Sequence, residues 1–506
     1  MDCRMSLRRP SLLVLLLLSM MLAACARAPV GRVPVEDRAE IAARLKADIV
    51  ALADDEMLGR KPGTPGEDKT LAYLERRMLE VGLVSGTNDP GSYWRMPVGL
   101  VATRALPGTV TLTQGKRSVI VPESDAAVFT QRRRELALSG PGTGVPVVFV
   151  GYGDGLVLGE ALAGAVVVML ADPGRDEARR AALFAQRATA VLTVVPDADA
   201  LAPLRIGERR EKLQLASEEQ DTLSAFVTEA VVADLIGEIR WKRLKSEAEA
   251  ADFAPLEIHL AVAIEAAAER REFTSYNLVG MIPGKVPGSG AVLLLAHWDH
   301  LGECAPPEAP DTICNGAADN ASGLAAMLEL AQRLNSAGPH GRDIYVLATT
   351  SEEGGLLGAR AFAKAPPVPL ASIVAAFNFD MVAVAPRGSP VGFIGRGRTA
   401  ALDSVILDHL ANNGRGLGDQ SLADSFVQRQ DGWALLQQGV PSVLLSSTYG
   451  VRGLLDPFLA TRYHRPSDSA DAVELGGAID DVLLHDALIR QIADPARYLP
   501  PAAAAP

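Results

Sequence analysis

From about Ser275 onward the chain alternates apolar runs of strand length with segments of helical period, and this alternation constrains its fold more than any other feature. Residues 291–296, 344–349 and 373–379 are apolar runs bounded by polar or glycine-containing turns. Residues 323–334 and 356–364 between them carry apolar side chains at helical spacing. Strands that are apolar on both faces and separated by helices predict an α/β fold, a largely parallel mixed sheet with helices on both faces.

The rest of the chain reads differently. Residues 37–83 are helical in pattern, broken by Gly59-Arg60-Lys61-Pro62-Gly63-Thr64-Pro65-Gly66, whose glycine and proline density marks a loop. Gly82 stops the helix that follows. Between 105 and 253 lie short β-branched runs at 145–150, 165–170 and 188–195 and a charged helical segment at 175–187. No cluster of His, Asp or Glu with catalytic spacing falls there, so this stretch is expected to be an inserted, mostly β domain. The expected divisions are a signal at 1–24, a tether at 25–36, the two halves of the main domain at 37–104 and 254–495, and a low-complexity tail at 496–506.

The polar residues of the α/β region gather where the strands end. The first run leads into His297-Trp298-Asp299-His300, the second into Ser351-Glu352-Glu353 and the third into Asp380. Asp319 precedes the 323–334 helix, and His464 lies on a loop after the run 443–445. Open α/β sheets bind ligands outside the carboxyl ends of their strands. Imidazole and carboxylate are the ligands a divalent metal such as zinc takes outside thiolate sites. Asp299, two residues from His297, is placed to accept a hydrogen bond from the imidazole nitrogen that faces away from a metal. Of the adjacent Glu352 and Glu353, one can serve as ligand and the other as base. Neither a His-Glu-x-x-His helix nor a Gly-x-Ser-x-Gly elbow occurs.

These segments in order resemble the motifs of the co-catalytic zinc exopeptidases, the family of bacterial leucyl aminopeptidases, aminopeptidase Y and glutamate carboxypeptidases. The resemblance rests on His297-Trp298-Asp299-His300, Asn315-Gly316-Ala317-Ala318-Asp319, Ser351-Glu352-Glu353-Gly354-Gly355, Asn378-Phe379-Asp380-Met381 and Tyr463-His464-Arg465-Pro466-Ser467-Asp468. The Gly59–Gly66 loop is similar to the family's N-terminal loop. Val147-Val148-Phe149-Val150-Gly151 and Leu162-Ala163-Gly164-Ala165-Val166 resemble a protease-associated domain. The resemblance implies two Zn2+ ions, one held by His297 and Asp380, the other by Glu353 and His464, with Asp319 bridging. It implies Glu352 as general base, a cis peptide after Asp319, and peptides as substrates. An aminopeptidase is the expected activity, with a carboxypeptidase or dipeptidase as the alternative; a glutaminyl cyclase-like transferase or a non-catalytic receptor-like member is more remote. Many relatives carry Arg-Ser-Asp-His where this chain has Arg429-Gln430-Asp431-Gly432, a departure that bears on the substrate pocket.

The N-terminus predicts export. Arg4, Arg8 and Arg9 precede an apolar run at 12–22 followed by small residues, the layout of a secretory signal and too short for a comfortable membrane span. Leu22-Ala23-Ala24-Cys25 resembles a bacterial lipobox, which implies a lipid on Cys25, a membrane anchor and a place in the cell envelope. With Ala26 following, the resemblance points to the outer membrane, facing the periplasm. Once Cys3 leaves with the signal, Cys304 and Cys314 remain as an even pair in an oxidising compartment, and a disulfide is expected. A net charge of −12 argues against nucleic acid as a partner.

Overall fold

The computed structural model describes residues 35–500 apart from 90, 92, 132–134, 141–142, 153–161, 209–210, 220–221 and 251. The expected signal, Cys25 and residues 501–506 lie outside the described residues. Among those described, no helix is long and apolar enough to cross a membrane.

Among the described residues nine strands form the main sheet: β1 (Val84–Ser85), β2 (Arg95–Ala105), β3 (Lys212–Leu215), β4 (Ala268–Ile282), β5 (Ala291–His297), β6 (Asp343–Thr349), β7 (Ile373–Asn378), β8 (Gly392–Ile394) and β9 (Ser442–Ser446). Their order is β3-β2-β4-β6-β5-β7-β9-β8, with β1 beside β4. The four central strands β6, β5, β7 and β9 are parallel. The flanking pairs are antiparallel, so the sheet is mixed, with its parallel part at the centre.

Burial explains why β5 reads as one unbroken apolar run. Val292, Leu294 and Ala296 pack on one side with residues of α1 (Val35–Leu52), α2 (Pro65–Val81), α3 (Ser322–Ala337) and α5 (Leu475–Ile492). Leu293 and Leu295 pack on the other side with Phe362 of α4 (Leu357–Lys364) and with Leu435. Each such side chain taken from water contributes roughly 1.5–3 kcal/mol, so a strand with no wet face needs apolar residues at every position. α2 starts at Thr64, whose hydroxyl accepts from the Gly66 N–H at 3.2 Å, and ends at Gly82 in the left-handed region.

The inserted segment builds a second body with its own core, which includes Val110, Phe149, Val168, Leu192, Val227, Trp241 and Ile264. One sheet runs Leu256–Glu257, Val147–Gly151, Val166–Leu170, Ala190–Val195, Leu223–Thr228, Ala126–Thr130; the other runs Arg117–Ile120, Thr109–Gln114, Ala261–Ala266, Glu135–Ser139. The body is less purely β than expected, because helices Asp176–Ala185, Ala198–Glu208, Glu229–Ile236 and Glu238–Ala248 accompany its strands. The division expected at 253/254 falls inside it, because Ala261–Ala266 pairs with Thr109–Gln114 and Glu135–Ser139 before the chain re-enters the main sheet as β4.

One strand of the insertion leaves its own body. β3 pairs with β2 at the edge of the main sheet. Glu211 beside it forms ion pairs with Lys61 at 2.8 Å and Arg271 at 3.6 Å. Glu218 just beyond it holds both Arg360 and Lys364 of α4.

Cys304 and Cys314 form the expected disulfide, with 5.8 Å between their Cα atoms, within the usual range of about 4.4–6.8 Å. The bridge staples a small hairpin of Gly302–Glu303 with Ile313–Cys314, on which Gly59 lies so closely that a Cβ there would sit 2.6 Å from the Cys314 carbonyl oxygen. Thiol titration of the mature protein, denatured without reductant, is expected to find neither cysteine reactive. Two reactive thiols would overturn the bridge.

Candidate active site

The candidate residues meet at the carboxyl ends of the central parallel strands. His297 is the last residue of β5. β6 ends at Thr349, and Ser351 with φ 53° turns the chain so that Glu352 and Glu353 follow it into the cleft. β7 ends at Asn378, two residues before Asp380. Asp319 sits in the turn Ala317–Ala321 ahead of α3, and the Asp319–Asn320 peptide is cis. His464, with φ 58°, lies on the loop after helix Arg452–Thr461.

The side chains converge on two adjoining centres that share Asp319. His297 Nε2 lies 3.3 Å from Asp319 Oδ1 and 3.6 Å from Asp380 Oδ1. His464 Nε2 lies 3.3 Å from Asp319 Oδ2 and 3.0 Å from Glu353 Oε2. Two ligands each about 2 Å from one tetrahedral metal stand roughly 3.3 Å apart. Despite this closeness, His464 Nε2 and Asp380 Oδ1 are buried without an aligned hydrogen bond. Buried polar atoms left without a hydrogen-bond partner are what donor atoms reserved for a metal look like. The residues therefore fit divalent metal, with His297, Asp319 and Asp380 offering ligand atoms all within 4.8 Å of one another.

The residues around this set hold it in place. Asp299 takes a role other than the one its spacing suggests: its backbone carbonyl, 3.1 Å away, is the partner of His297 Nδ1. The Asp299 carboxylate lies 3.8 Å from that nitrogen and instead accepts the Glu352 N–H at 2.9 Å and the Glu353 N–H at 3.3 Å. It thus fixes the turn that presents both glutamates. His300 Nδ1 is 2.7 Å from Glu353 Oε1, which leaves Oε2 for the centre near His464. Asp468 accepts the N–H groups of Ala318 and Asp319, and Asn320 donates to the Phe379 carbonyl at 2.9 Å, tying the Asp319 turn to the strand end that carries Asp380.

Arg60, to which no motif assigns a role, also holds the site together. It is fully buried and donates to the carbonyls of Trp298 at 2.9 Å, Leu52 at 2.8 Å, Asn315 at 2.5 Å and Gly316 at 3.0 Å. One guanidinium thus joins the His297 loop to the loop before Asp319. Burial lowers its pKa to about 10, opposed by Asp319, Asp299, Asp468 and Glu353, so it stays cationic at neutral pH.

The electrostatics describe a centre short of positive charge. Burial drives Glu352 well above the usual carboxylate range; His297 opposes this, while Asp431, Asp380 and Glu353 add to it. Burial also raises Asp299 to about 7 and Asp431 to about 6. His464 is raised to about 10 because Asp319 and Glu353 outweigh its burial, and Glu352, Asp319 and Asp380 do the same for His297. Imidazoles made to keep protons among crowded carboxylates mark a place where a cation is stabilised.

Glu352 shares a cleft with Asp319 and Asp380, and Met381, Phe426, Tyr449 and Tyr463 give it an apolar wall. Phe426 and Tyr449 pack edge to face at 5.0 Å, and Tyr463 stacks on His464 at 3.7 Å. Arg429 and Gln430 complete the lining.

A mixed α/β sheet thus carries imidazole and carboxylate groups at its carboxyl edge, with a further glutamate, Glu352, in the cleft beside them. Residues 277–482 match peptidase family M28. The fold is similar to that of an aminopeptidase from an Aneurinibacillus species, at 17% identity over 92% of this chain and 97% of that one, with a TM-score of 0.56. A zinc aminopeptidase from Bacillus subtilis is 17% identical over 90% of this chain and 98% of its own, with a TM-score of 0.47. A peptidase M28 precursor from Shewanella amazonensis is 16% identical over 93% and 99%, with a TM-score of 0.45. No curated protein matches the sequence.

Proposed function

We propose that the protein is a zinc-dependent aminopeptidase that removes N-terminal residues from peptides. The observation that carries this reading is the convergence of His297, Asp319, Glu353, Asp380 and His464 on two adjoining centres beside a glutamate that joins neither. In this reading His297 and Asp380 would hold one Zn2+, Glu353 and His464 the other, and Asp319 would be shared between them. Zinc bound there acidifies a water and polarises a carbonyl. Glu352 takes the proton of the attacking water and passes it to the leaving amine as the peptide C–N bond breaks. Asp299 keeps the glutamate turn in position through its two backbone hydrogen bonds. Of the two activities, an amino- rather than a carboxypeptidase is the reading taken here. The aminopeptidase of similar fold from Aneurinibacillus is consistent with this choice.

The same reading places the enzyme in the bacterial envelope, anchored through lipid on Cys25 and exposed to peptides in the periplasm. It takes the inserted body as a module of the protease-associated type.

Aminoacyl anilides, N-acetylated dipeptides and free dipeptides, assayed with and without a chelator, test the proposal. Turnover is expected on substrates with a free amine, lost on chelation and restored by Zn2+. Cleavage confined to N-blocked substrates would replace the reading with a carboxypeptidase, and activity indifferent to chelation would remove it.

A further inference from the structure

The cleft that holds Glu352 is lined by three carboxylates, Asp319, Glu352 and Asp380, and by one cationic side chain, Arg429. Its guanidinium lies over the Phe426 ring, 4.7 Å from the centroid, a stacking that favours one orientation of an otherwise free side chain. Among the described residues no carboxylate is paired with it, whereas Arg95 is tied to Glu75 and Arg360 to Glu218. The residues that follow it are fixed to the strands that carry the catalytic set. Buried Gln430 accepts from Asn378 at the end of β7 at 2.9 Å and from the Gly432 N–H at 2.7 Å, and buried Asp431 accepts from Thr349 at the end of β6. The backbone at Arg429 is therefore set relative to Asp380 and Glu352, and its exposed side chain keeps its charge uncommitted.

Arg429 is the one cationic side chain in the lining of this cleft, and so the group there with which a substrate carboxylate would form an ion pair. A guanidinium forks onto a carboxylate through two N–H donors, a geometry that a lysine does not reproduce. We infer that Arg429 is a specificity-determining residue that binds a carboxylate of the substrate, at the C-terminus of a short peptide or on an acidic side chain. This inference rests on the peptidase reading above.

The test uses the full-length, zinc-loaded enzyme and two substrate pairs: alanyl-alanine against its amide, and alanyl-glutamate amide against alanyl-glutamine amide. In the wild type the free carboxylate is expected to raise kcat/KM by about tenfold or more, mostly through KM, in one pair. Preference in the first pair identifies the terminal carboxylate, and preference in the second the side chain. Arg429→Gln is expected to bring the ratio close to one, and Arg429→Lys to restore part of it. Because Glu352→Gln stops turnover, calorimetry of the same peptides on that variant, with and without Arg429→Gln, reads the binding contribution directly. A wild type that cleaves the peptides but shows no preference, or a preference unchanged by Arg429→Gln, would overturn the role of Arg429. Absence of cleavage of every free-amine peptide would instead overturn the aminopeptidase reading.

Discussion

Glu352→Gln is expected to lower kcat by about 100-fold or more while the metal content of the purified protein stays at the wild-type level. An amide of the same size cannot accept the proton that the carboxylate takes. The backbone hydrogen bond from Glu352 to Asp299, 2.9 Å long, survives the change, so the turn keeps its shape. Glu353→Gln provides the contrast. Glu353 is held down to about 2 by His300 and His464, against its own burial and the repulsion of Asp319, and its Oε2 faces one of the two centres. That variant should lose metal as well as turnover. Elemental analysis beside steady-state kinetics separates the two, and a Glu352→Gln enzyme that keeps more than about a tenth of wild-type kcat would end the assignment of the base.

The second large effect is structural. Arg60→Met leaves the carbonyls of Trp298, Leu52, Asn315 and Gly316 buried without the donor they share. Orphaned buried acceptors cost about 1–3 kcal/mol each, and relaxation recovers part of the sum. A net loss of about 3 kcal/mol corresponds to a fall of roughly 6–12 °C in Tm for a domain of about 150–250 residues. Arg60→Lys should rescue little, because one ammonium cannot serve four acceptors spread round a planar guanidinium. Scanning calorimetry of the zinc-loaded protein reads the shift, and a Tm within about 1 °C of wild type would show that water replaces the guanidinium without loss.

The residues at the strand ends were legible in the sequence because each follows an apolar run whose burial is a local property. His297, Glu353 and Asp380 need only the strand before them to be placed at the carboxyl edge. Arg60 and Asp468 stand inside legible motifs, yet their work is done on backbone groups 238 and 149 residues away, and no local pattern announces a long-range hydrogen bond. Asp299 shows the same limit at short range. Its separation from His297 was right for a contact, but whether the carbonyl or the carboxylate makes that contact depends on backbone angles that spacing does not encode. The apolar wall of Phe426 and Tyr449 escaped for a third reason: aromatic residues in loops read like any other core residue until the cleft beside them is seen.

The return of β3 to the main sheet changes what it means to call the insertion a module. A protein engineer who cuts at its outer borders and joins β2 to β4 with a short linker would remove an edge strand along with the inserted body, exposing the unpaired N–H and C=O groups of β2 to solvent and to other chains. The same cut takes away Glu218, the shared anion between Arg360 and Lys364, and Leu213, whose Cβ lies 3.1 Å from where a Cβ on Gly354 would stand. Gly354 immediately follows Glu353, so the excised piece is also a side wall of the catalytic turn. A minimal peptidase derived from this chain has to keep residues 211–218, grafted in place, or supply another strand to seal that edge.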